Sequence, residues 1–265
     1  MSQPAGPPSR PFIHDTGDGP AVLLLHAFPL DASQWDHEVA ALSGRYRCLR
    51  PDAFGCGLSP APPVGMTLDT TGAAIVEALD VLGVSSVAVV GLSMGGYTAM
   101  ALLRQAAQRV RALVLADTRA TADSEAARAD RLTMATSVLR DGVDGVVEST
   151  VERLLSPQSR MEFHISDPVR ARVRRCTPAG VAACQEAMAA RPDSTATLAA
   201  VRVPTLVLCG EEDSVTPPAE MREMASIIAG SRFEIIAEAG HLSNLEQRER
   251  FDALLSGFLD GVAAT

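Results

Sequence analysis

The strongest indication of the fold is a turn that joins a short apolar run to a helical pattern: Val87-Ala88-Val89-Val90-Gly91-Leu92-Ser93-Met94-Gly95-Gly96. The first four residues predict a buried strand, and the small apolar residues after Gly96 predict a helix to about Gln108. A serine on such a sharp turn takes a strained backbone conformation that lifts its hydroxyl above the sheet. Side chains at Gly91 and Gly95 would collide with the neighbouring strand or helix. The turn therefore presents Ser93 as a candidate nucleophile.

Short apolar runs of this kind recur along the chain and alternate with helical patterns. The predicted strands are Val22–Leu25, Arg47–Arg50, Val87–Val90, Leu113–Ala116, Thr205–Cys209 and Phe233–Ile236. Strands that alternate with helices indicate βαβ units and a parallel sheet covered on both faces. We therefore expect an α/β fold with a doubly wound, mostly parallel sheet.

The alternation breaks between about Thr121 and Thr197, where the pattern is helical throughout. The predicted helices of this stretch are Ser124–Arg140, Val143–Leu155, Pro168–Arg175 and Pro178–Ala190. We interpret residues 119–197 as a helical cap, or lid, inserted into a core domain that is formed by residues 1–118 and 198–265.

Composition and charge narrow the range of partners. The chain has 32 acidic and 23 basic residues and a formal net charge of −9, whereas nucleic acids and anionic membranes bind basic surfaces. No apolar run approaches the roughly 18 residues of a transmembrane helix, and Met1–Pro11 lacks the apolar core of a secretory signal. We expect a soluble, cytoplasmic protein with no nucleic-acid or membrane partner. The sequence does not indicate the oligomeric state.

The absence of lysine and the spacing of the cysteines argue against further classes of chemistry. All 23 basic side chains are arginines, so the chain has no lysine for a Schiff base, a general base or a P-loop. This excludes pyridoxal-phosphate enzymes, lysine-dependent aldolases, kinases and P-loop NTPases. The cysteines are odd in number and form no C-x-x-C pair, so we expect neither a zinc site nor a disulfide framework. They are Cys48, Cys56, Cys176, Cys184 and Cys209.

A serine hydroxyl needs a neighbouring base to become a nucleophile. His241 is the candidate, because it follows the predicted strand Phe233–Ile236 and the carboxyl ends of parallel strands carry the active site. His26 ends the first apolar strand and is expected to order the adjacent loop. The remaining histidines are expected to be surface or solvated residues: His14, His37 and His164.

The histidine in turn needs a carboxylate that orients the imidazole and stabilises its cation. Asp213 is the preferred candidate, in the loop after the strand Thr205–Cys209. Asp117 is the alternative, because it also ends an apolar strand at the same edge of the sheet. With Asp213, the chain order Ser…Asp…His is that of the α/β-hydrolases.

An oxyanion site needs two hydrogen-bond donors that converge on the developing negative charge. The backbone N–H of Met94, directly after the nucleophile, is one candidate. The second is the backbone N–H of Phe28, in the loop His26-Ala27-Phe28-Pro29.

From about Phe12 to Phe258 the chain resembles the α/β-hydrolase superfamily, in the branch of small esterases, 3-oxoadipate enol-lactonases and cofactor-free haloperoxidases. Ala27 departs from the pattern, because members usually have glycine there. Alanine has less backbone freedom than glycine, so the conformation of the oxyanion loop is expected to differ slightly. The resemblance implies a triad of Ser93, Asp213 and His241 and no cofactor. The motifs are Leu23-Leu24-Leu25-His26-Ala27-Phe28-Pro29, Asp52-x-Phe54-Gly55-x-Gly57-x-Ser59, Gly91-Leu92-Ser93-Met94-Gly95-Gly96, Pro204-Thr205-Leu206-Val207-Leu208-x-Gly210-x-x-Asp213 and Gly240-His241-Leu242.

The expected function is hydrolysis of a small carboxylic ester or lactone through an acyl-enzyme, including the enol-lactones of aromatic catabolism. Perhydrolysis or cofactor-free halogenation is an alternative, although that branch commonly has tryptophan where this chain has Phe28. A hydrolase-fold binding protein with little turnover is a further alternative. In the predicted cap, we interpret a basic cluster as a solvated helix face, with steering of an anionic substrate as the alternative. This cluster comprises Arg170, Arg172, Arg174 and Arg175.

Overall fold

The computed structural model describes residues 10–263. Most of the N-terminal segment Met1–Pro11, and the outer ends of the predicted core domain, lie outside these residues. Within the described part of the chain, no helix combines the length and hydropathy needed to cross a membrane.

The core of the molecule is a seven-stranded sheet in the order β1-β3-β2-β4-β5-β6-β7. Its strands are β1 (Ile13–Thr16), β2 (Ala21–Leu25), β3 (Arg47–Pro51), β4 (Val87–Leu92), β5 (Val110–Ala116), β6 (Thr205–Gly210) and β7 (Arg232–Ile236). Every neighbouring pair is parallel except β1 and β3, which are antiparallel. The predicted α/β fold with a mostly parallel sheet is confirmed. Strand β1 was not predicted, because this polar, partly exposed edge strand has no apolar run.

The helices alternate with the strands on both sides of the insertion between β5 and β6. They are α1 (Asp36–Leu42), α2 (Leu68–Val81), α3 (Met94–Ala106), α4 (Glu125–Asp141), α5 (Asp144–Leu154), α6 (Pro157–Met161), α7 (Phe163–Val173), α8 (Pro178–Ala189), α9 (Thr195–Ala199), α10 (Pro218–Ile227), α11 (Ser243–Glu246) and α12 (Arg248–Ala263). Thr67 caps α2, where its side chain accepts a hydrogen bond from Thr70 N.

Both faces of the sheet are buried, as the fully apolar strands predict. Neighbouring residues of a strand point to opposite faces. On one face Val90 belongs to an apolar cluster that includes Trp35 and Phe251 of α12. On the other face Val89 belongs to a cluster that includes Ile75 of α2. Burial on both faces makes the sheet a rigid support for the loops at its carboxyl edge.

The chain between β5 and β6 forms helices α4 to α9, and we call residues 119–197 the helical insertion. The short helices α6 and α9 were not predicted, and α9 crosses the predicted boundary at residue 197. Helix α7 begins at Phe163 rather than at the predicted Pro168, which lies inside it. Proline is common in the first turn of a helix, and Pro178 of α8 follows this preference whereas Pro168 of α7 does not. The role of the insertion as a cap stays a prediction.

Cys56 and Cys176 form a disulfide across 120 residues of sequence, which corrects the expectation that the cysteines form none. The bond joins the loop after β3 to the segment between α7 and α8, where the two residues also share a β-bridge. Sequence spacing could not reveal this pair, because only the packing of the helical insertion on the core brings the two sulfurs together. The remaining cysteines are buried and free: Cys48, Cys184 and Cys209.

Candidate active site

Ser93 occupies the turn between β4 and α3. Its φ of +55° and ψ of −115° lie in a region that residues other than glycine rarely adopt. A Cβ added to Gly91 would lie 2.4 Å from the carbonyl oxygen of Gly95, and one added to Gly95 would lie 2.0 Å from that of Leu25. Glycine is thus required at both positions, and the strained turn predicted from the sequence is present.

Two hydrogen bonds connect the predicted nucleophile, base and acid. His241 Nε2 lies 2.8 Å from Ser93 Oγ, and His241 Nδ1 lies 2.8 Å from Asp213 Oδ2. The imidazole and the carboxylate are both buried. Three loops at the carboxyl ends of strands therefore bring these side chains together, in a geometry that lets the imidazole take the serine proton.

Asp213 is held as a carboxylate by several donors. Its Oδ1 accepts hydrogen bonds from Val215 N at 2.8 Å and Thr216 N at 2.9 Å, and its Oδ2 accepts one from Thr216 Oγ1 at 2.6 Å. Burial alone would raise the pKa of Asp213, but the charge and hydrogen bond of His241 and the Thr216 donors outweigh it and hold the pKa below its usual value. An ionised Asp213 can stabilise a positive charge on His241.

Asp117, the alternative acid, lies behind this pair and has other partners. Its Oδ1 accepts a hydrogen bond from Gly210 N at 2.8 Å, and its Oδ2 accepts one from the Ser243 hydroxyl. Burial, followed by the negative charge of Asp213, raises the pKa of Asp117 well above its usual value. Asp117 therefore joins the ends of β5 and β6 to α11, and Asp213 is the acid that contacts His241.

Hydrogen bonds of its backbone groups hold the predicted oxyanion loop in place. Ala27 N donates a 2.8 Å hydrogen bond to the buried side chain of Gln34, and Leu30 N donates one of 3.0 Å to Ala27 O. Phe28 lines the cavity over Ser93, and Met94 is the first residue of α3. Both predicted donors thus belong to segments that border the nucleophile. Gln34 is a supporting residue that the sequence analysis missed.

His26 orders the neighbouring loop, as expected. Its Nε2 accepts a 2.9 Å hydrogen bond from Ala53 N, so Nδ1 carries the proton that it donates to Ala27 O at 2.8 Å. Burial lowers the pKa of His26 and favours this neutral form. The other histidines lie away from Ser93: His37 and His164 are exposed, and the partly exposed His14 contacts Asp52.

Ser93 and His241 open into a cavity of about 100 Å³. The helical insertion forms much of its wall through residues of α4, α5 and α8. The apolar lining residues are Phe28, Pro29, Met134, Leu154, Met188 and Val215. The polar ones are Tyr97, Arg131, Ser149, Thr150, Arg153 and Gln185. Arg131 and Arg153 were not singled out from the sequence, because helical periodicity does not show which face of a helix covers the nucleophile.

The basic cluster singled out from the sequence contributes none of the described residues that line this cavity. Arg174 pairs with Asp144 on the exposed surface, as expected, whereas Arg170 is partly buried and pairs with Glu148. Arg172 instead donates hydrogen bonds to Ser33, and Arg175 pairs with the buried Asp31. These two arginines join α7 and the turn after it to the loop after β2, which corrects the interpretation of all four as a solvated face.

One group of residues has the composition of a metal site. Ligand atoms of Asp117, Cys209 and Asp213 lie within 4.8 Å of one another. Both oxygens of Asp213 are already engaged by His241 and Thr216. Burial, followed by the charges of the two aspartates, raises the pKa of the Cys209 thiol and so disfavours the thiolate that binds metals. These residues fit the acid–base arrangement better than a metal centre.

Comparison with known proteins shows the family to which this chain belongs. A family described as alpha/beta hydrolase fold matches residues 20–247. The 3-oxoadipate enol-lactonase 1 of Acinetobacter baylyi is 31% identical over 256 residues, covering 94% of this chain and 92% of the relative. A thermophilic esterase from Thermogutta terrifontis has a TM-score of 0.92 and 38% identity, covering 95% of this chain and 93% of that chain.

A further solved structure, the enol-lactonase from Burkholderia xenovorans LB400, has a TM-score of 0.87 and 28% identity, covering 94% of this chain and 96% of that chain. The protein is thus a hydrolase similar to esterases and lactonases, and its chain belongs to the alpha/beta hydrolase family.

Proposed function

We propose that this protein hydrolyses small carboxylic esters or lactones, with Ser93 as nucleophile, His241 as general base and Asp213 as the acid that orients His241. The observation that carries the proposal is the unbroken chain of two 2.8 Å hydrogen bonds from Asp213 to Ser93, at the floor of a cavity. The similarity to 3-oxoadipate enol-lactonase 1 supports the inclusion of lactones, enol-lactones among them.

In the first half of the reaction, Ser93 Oγ attacks the carbonyl carbon while its proton passes to His241 Nε2. The backbone N–H groups of Phe28 and Met94 donate hydrogen bonds to the oxyanion that forms. The carbonyl–oxygen bond to the alcohol then breaks, and His241 returns the proton to the departing oxygen. The product is an ester of Ser93. With a lactone the alcohol stays attached to the acyl group.

In the second half, a water molecule gives a proton to His241 Nε2 and its oxygen attacks the acyl carbon. The bond to Ser93 Oγ breaks, and His241 gives the proton back to the serine. The carboxylic acid leaves, and ionises in solution. No step needs a group beyond the three side chains, the two amides and water.

In this proposal the helical insertion acts as a cap on the core. Its residues narrow the space in front of Ser93 to about 100 Å³, which favours small substrates. Met134 and Met188 supply flexible apolar side chains to the wall. The cap thereby sets the size and polarity of the acyl or alcohol group.

The test is turnover of 4-nitrophenyl butyrate by the wild type, Ser93→Ala and Ser226→Ala. Ser226 is an exposed serine of α10 and serves as the matched control. We expect Ser93→Ala to lose both turnover and labelling by a fluorophosphonate probe, while Ser226→Ala keeps both. Circular dichroism checks that each variant is folded. Wild-type turnover by folded Ser93→Ala protein would contradict the proposal.

A further inference from the structure

The cavity over Ser93 is basic although the chain is acidic. The formal net charge is −9, yet the described residues that line this cavity include Arg131 and Arg153 and no carboxylate. The carboxylate of Asp213 lies behind His241 and is already engaged. Two guanidinium groups in the space where a substrate binds are a feature that ester cleavage alone does not require.

Arg131 is held in place by Asp123, which lies outside this cavity, and by Gln185, which lines it. It pairs with Asp123 and donates a 3.0 Å hydrogen bond to Gln185 Oε1. Asp123 also pairs with Arg191 at 2.7 Å, so one carboxylate serves two guanidinium groups. Arg191 in turn stacks on Tyr97, with its guanidinium carbon 4.1 Å from the ring centroid. The arrangement is rigid and leaves an excess of positive charge.

Arg153, on α5, has no such partner. Among residues 10–263 its side chain makes no hydrogen bond or ion pair. Arg153 is exposed to solvent, and partial desolvation of its guanidinium, followed by the neighbouring charge of Arg131, lowers its pKa. Like charges close together are unfavourable, and an anion between them would offset the repulsion. An unpaired guanidinium beside a fixed one is therefore ready to bind an anion.

A second space of about 120 Å³ adjoins the first and shares Tyr97, Arg131, Arg153 and Gln185 with it. It also contains Arg119, Asp123 and Asp130. Asp123 is neutralised by its two arginines, Arg119 lies 3.5 Å from Glu220, and Asp130 is exposed. Arg131 and Arg153 lie where the two spaces meet, so the excess of positive charge also borders the cavity over Ser93.

We propose that Arg153, together with Arg131, binds a carboxylate carried by the substrate away from the bond that Ser93 attacks. This rests on the proposed function and specifies its substrate class: half-esters of dicarboxylic acids, and esters or lactones with a second, ionised carboxyl group. A guanidinium offers parallel N–H donors that match the two oxygens of a carboxylate. Arg153 is then a specificity-determining residue, whereas the cluster at 170–175 is not.

The test compares esters that differ in one charge. Mono-4-nitrophenyl glutarate and 4-nitrophenyl valerate form the acyl-side pair, and O-butyrylglycolate and propyl butyrate form the alcohol-side pair. We expect kcat/KM to favour the anionic member of at least one pair. In Arg153→Gln the ratio of kcat/KM for the anionic ester to kcat/KM for the neutral ester of that pair should fall about 10- to 100-fold. This is the usual effect of losing a hydrogen bond to a charged group.

Arg174→Gln is the matched control. Arg174 is another arginine of the basic cluster, paired with Asp144 on the surface, and its loss should leave the ratio unchanged. A fall in the ratio for Arg174→Gln but not for Arg153→Gln would overturn the assignment and favour steering by the cluster. Hydrolysis of neutral and anionic esters at equal kcat/KM, with no effect of Arg153→Gln on the ratio, would overturn the anion site while the proposed function stands.

Binding of glutarate, measured by calorimetry, tests the site without turnover. We expect the wild type and Arg174→Gln to bind glutarate with equal affinity. Arg153→Gln should bind it at least about tenfold more weakly. If none of the esters is hydrolysed, the proposed function fails, and this binding experiment alone decides on the anion site. Absence of glutarate binding to the wild type, or equal affinity in Arg153→Gln, would refute it.

Discussion

Gln34 and Asn244 lie 210 residues apart in the chain, and their side chains share a buried 3.2 Å hydrogen bond. Gln34 also accepts a hydrogen bond from Ala27 N, beside the proposed oxyanion donor Phe28. Asn244 lies three residues after His241 and donates to Glu38 Oε1 at 3.1 Å. This Gln34–Asn244 pair therefore connects the loop of Phe28, the proposed oxyanion donor, with the loop of His241, the proposed base.

Replacement of Gln34 should separate these two loops. Gln34→Ala leaves the Ala27 N–H without its acceptor and Asn244 Oδ1 without its donor, and each unpaired buried group costs about 1–3 kcal/mol. We expect a lower free energy of unfolding in urea. Because a small displacement of the oxyanion donors is costly to catalysis, kcat/KM for 4-nitrophenyl butyrate should fall about tenfold or more. Gln158→Ala, on an exposed part of α6, is the control, and equal kcat/KM in both variants would contradict this role.

Asp213 and Asp117 should differ sharply as asparagine variants. Asp213→Asn removes the charge that stabilises protonated His241 and favours the wrong tautomer, and we expect kcat to fall about a thousandfold or more. Asp117 has a raised pKa, so asparagine resembles its neutral form, and the loss of kcat should be much smaller. Both rates are measured with 4-nitrophenyl butyrate under saturating conditions. A larger loss in Asp117→Asn would reverse the assignment of the acid.

Glu38 should make the stability of the protein depend on pH. Burial, followed by the charge of Asp252, raises the pKa of Glu38 to about 8. In the unfolded chain the same carboxyl ionises near its ordinary value of about 4.3. Between these two pH values only the folded state keeps the proton, so the free energy of unfolding should fall as pH rises, by up to about 1.4 kcal/mol per pH unit.

The variant Glu38→Gln tests this linkage by replacing the carboxyl group with an amide that does not ionise. The free energy of unfolding of the wild type and of Glu38→Gln is measured by urea denaturation between about pH 5 and pH 8. It should decline less steeply with pH in the variant. Glu152→Gln, at an exposed position of α5, should keep the wild-type slope. Parallel slopes for the wild type and Glu38→Gln would mean that Glu38 is ionised in the folded protein.

The Cys56–Cys176 disulfide should stabilise the packing of the helical insertion on the core. Its loop spans 120 residues, and removal of a native disulfide commonly costs about 2–5 kcal/mol. We expect the double variant Cys56→Ser/Cys176→Ser to have a lower Tm than the oxidised wild type. Dithiothreitol should lower the Tm of the wild type and leave that of the double variant unchanged. An unchanged wild-type Tm in the reductant would show that the bond does not contribute to stability.

Local patterns in the chain were sufficient for the strands β2 to β7, the turn at Ser93 and the residues of the candidate triad, but not for the polar edge strand β1. Apolar runs such as Val87–Val90 identify buried strands, because a parallel sheet is covered on both faces. Ser93, Asp213 and His241 each follow such a strand, and parallel strands end at the same edge. The close approach of Gly91 to Gly95 also follows from the turn itself, whereas Gly95 approaches Leu25 of the neighbouring strand β2.

Other features depend on contacts between distant segments, and no local pattern encodes them. The pairing of Cys56 with Cys176, the contact of Gln34 with Asn244 and the entry of Arg153 into the cavity all arise when the helical insertion and the loops pack on the sheet. Helical periodicity shows that α5 has an apolar side but not which polar residue of that helix meets the nucleophile. The candidate catalytic residues can thus be identified from the sequence, whereas the shape and charge of the space around them are set by long-range packing.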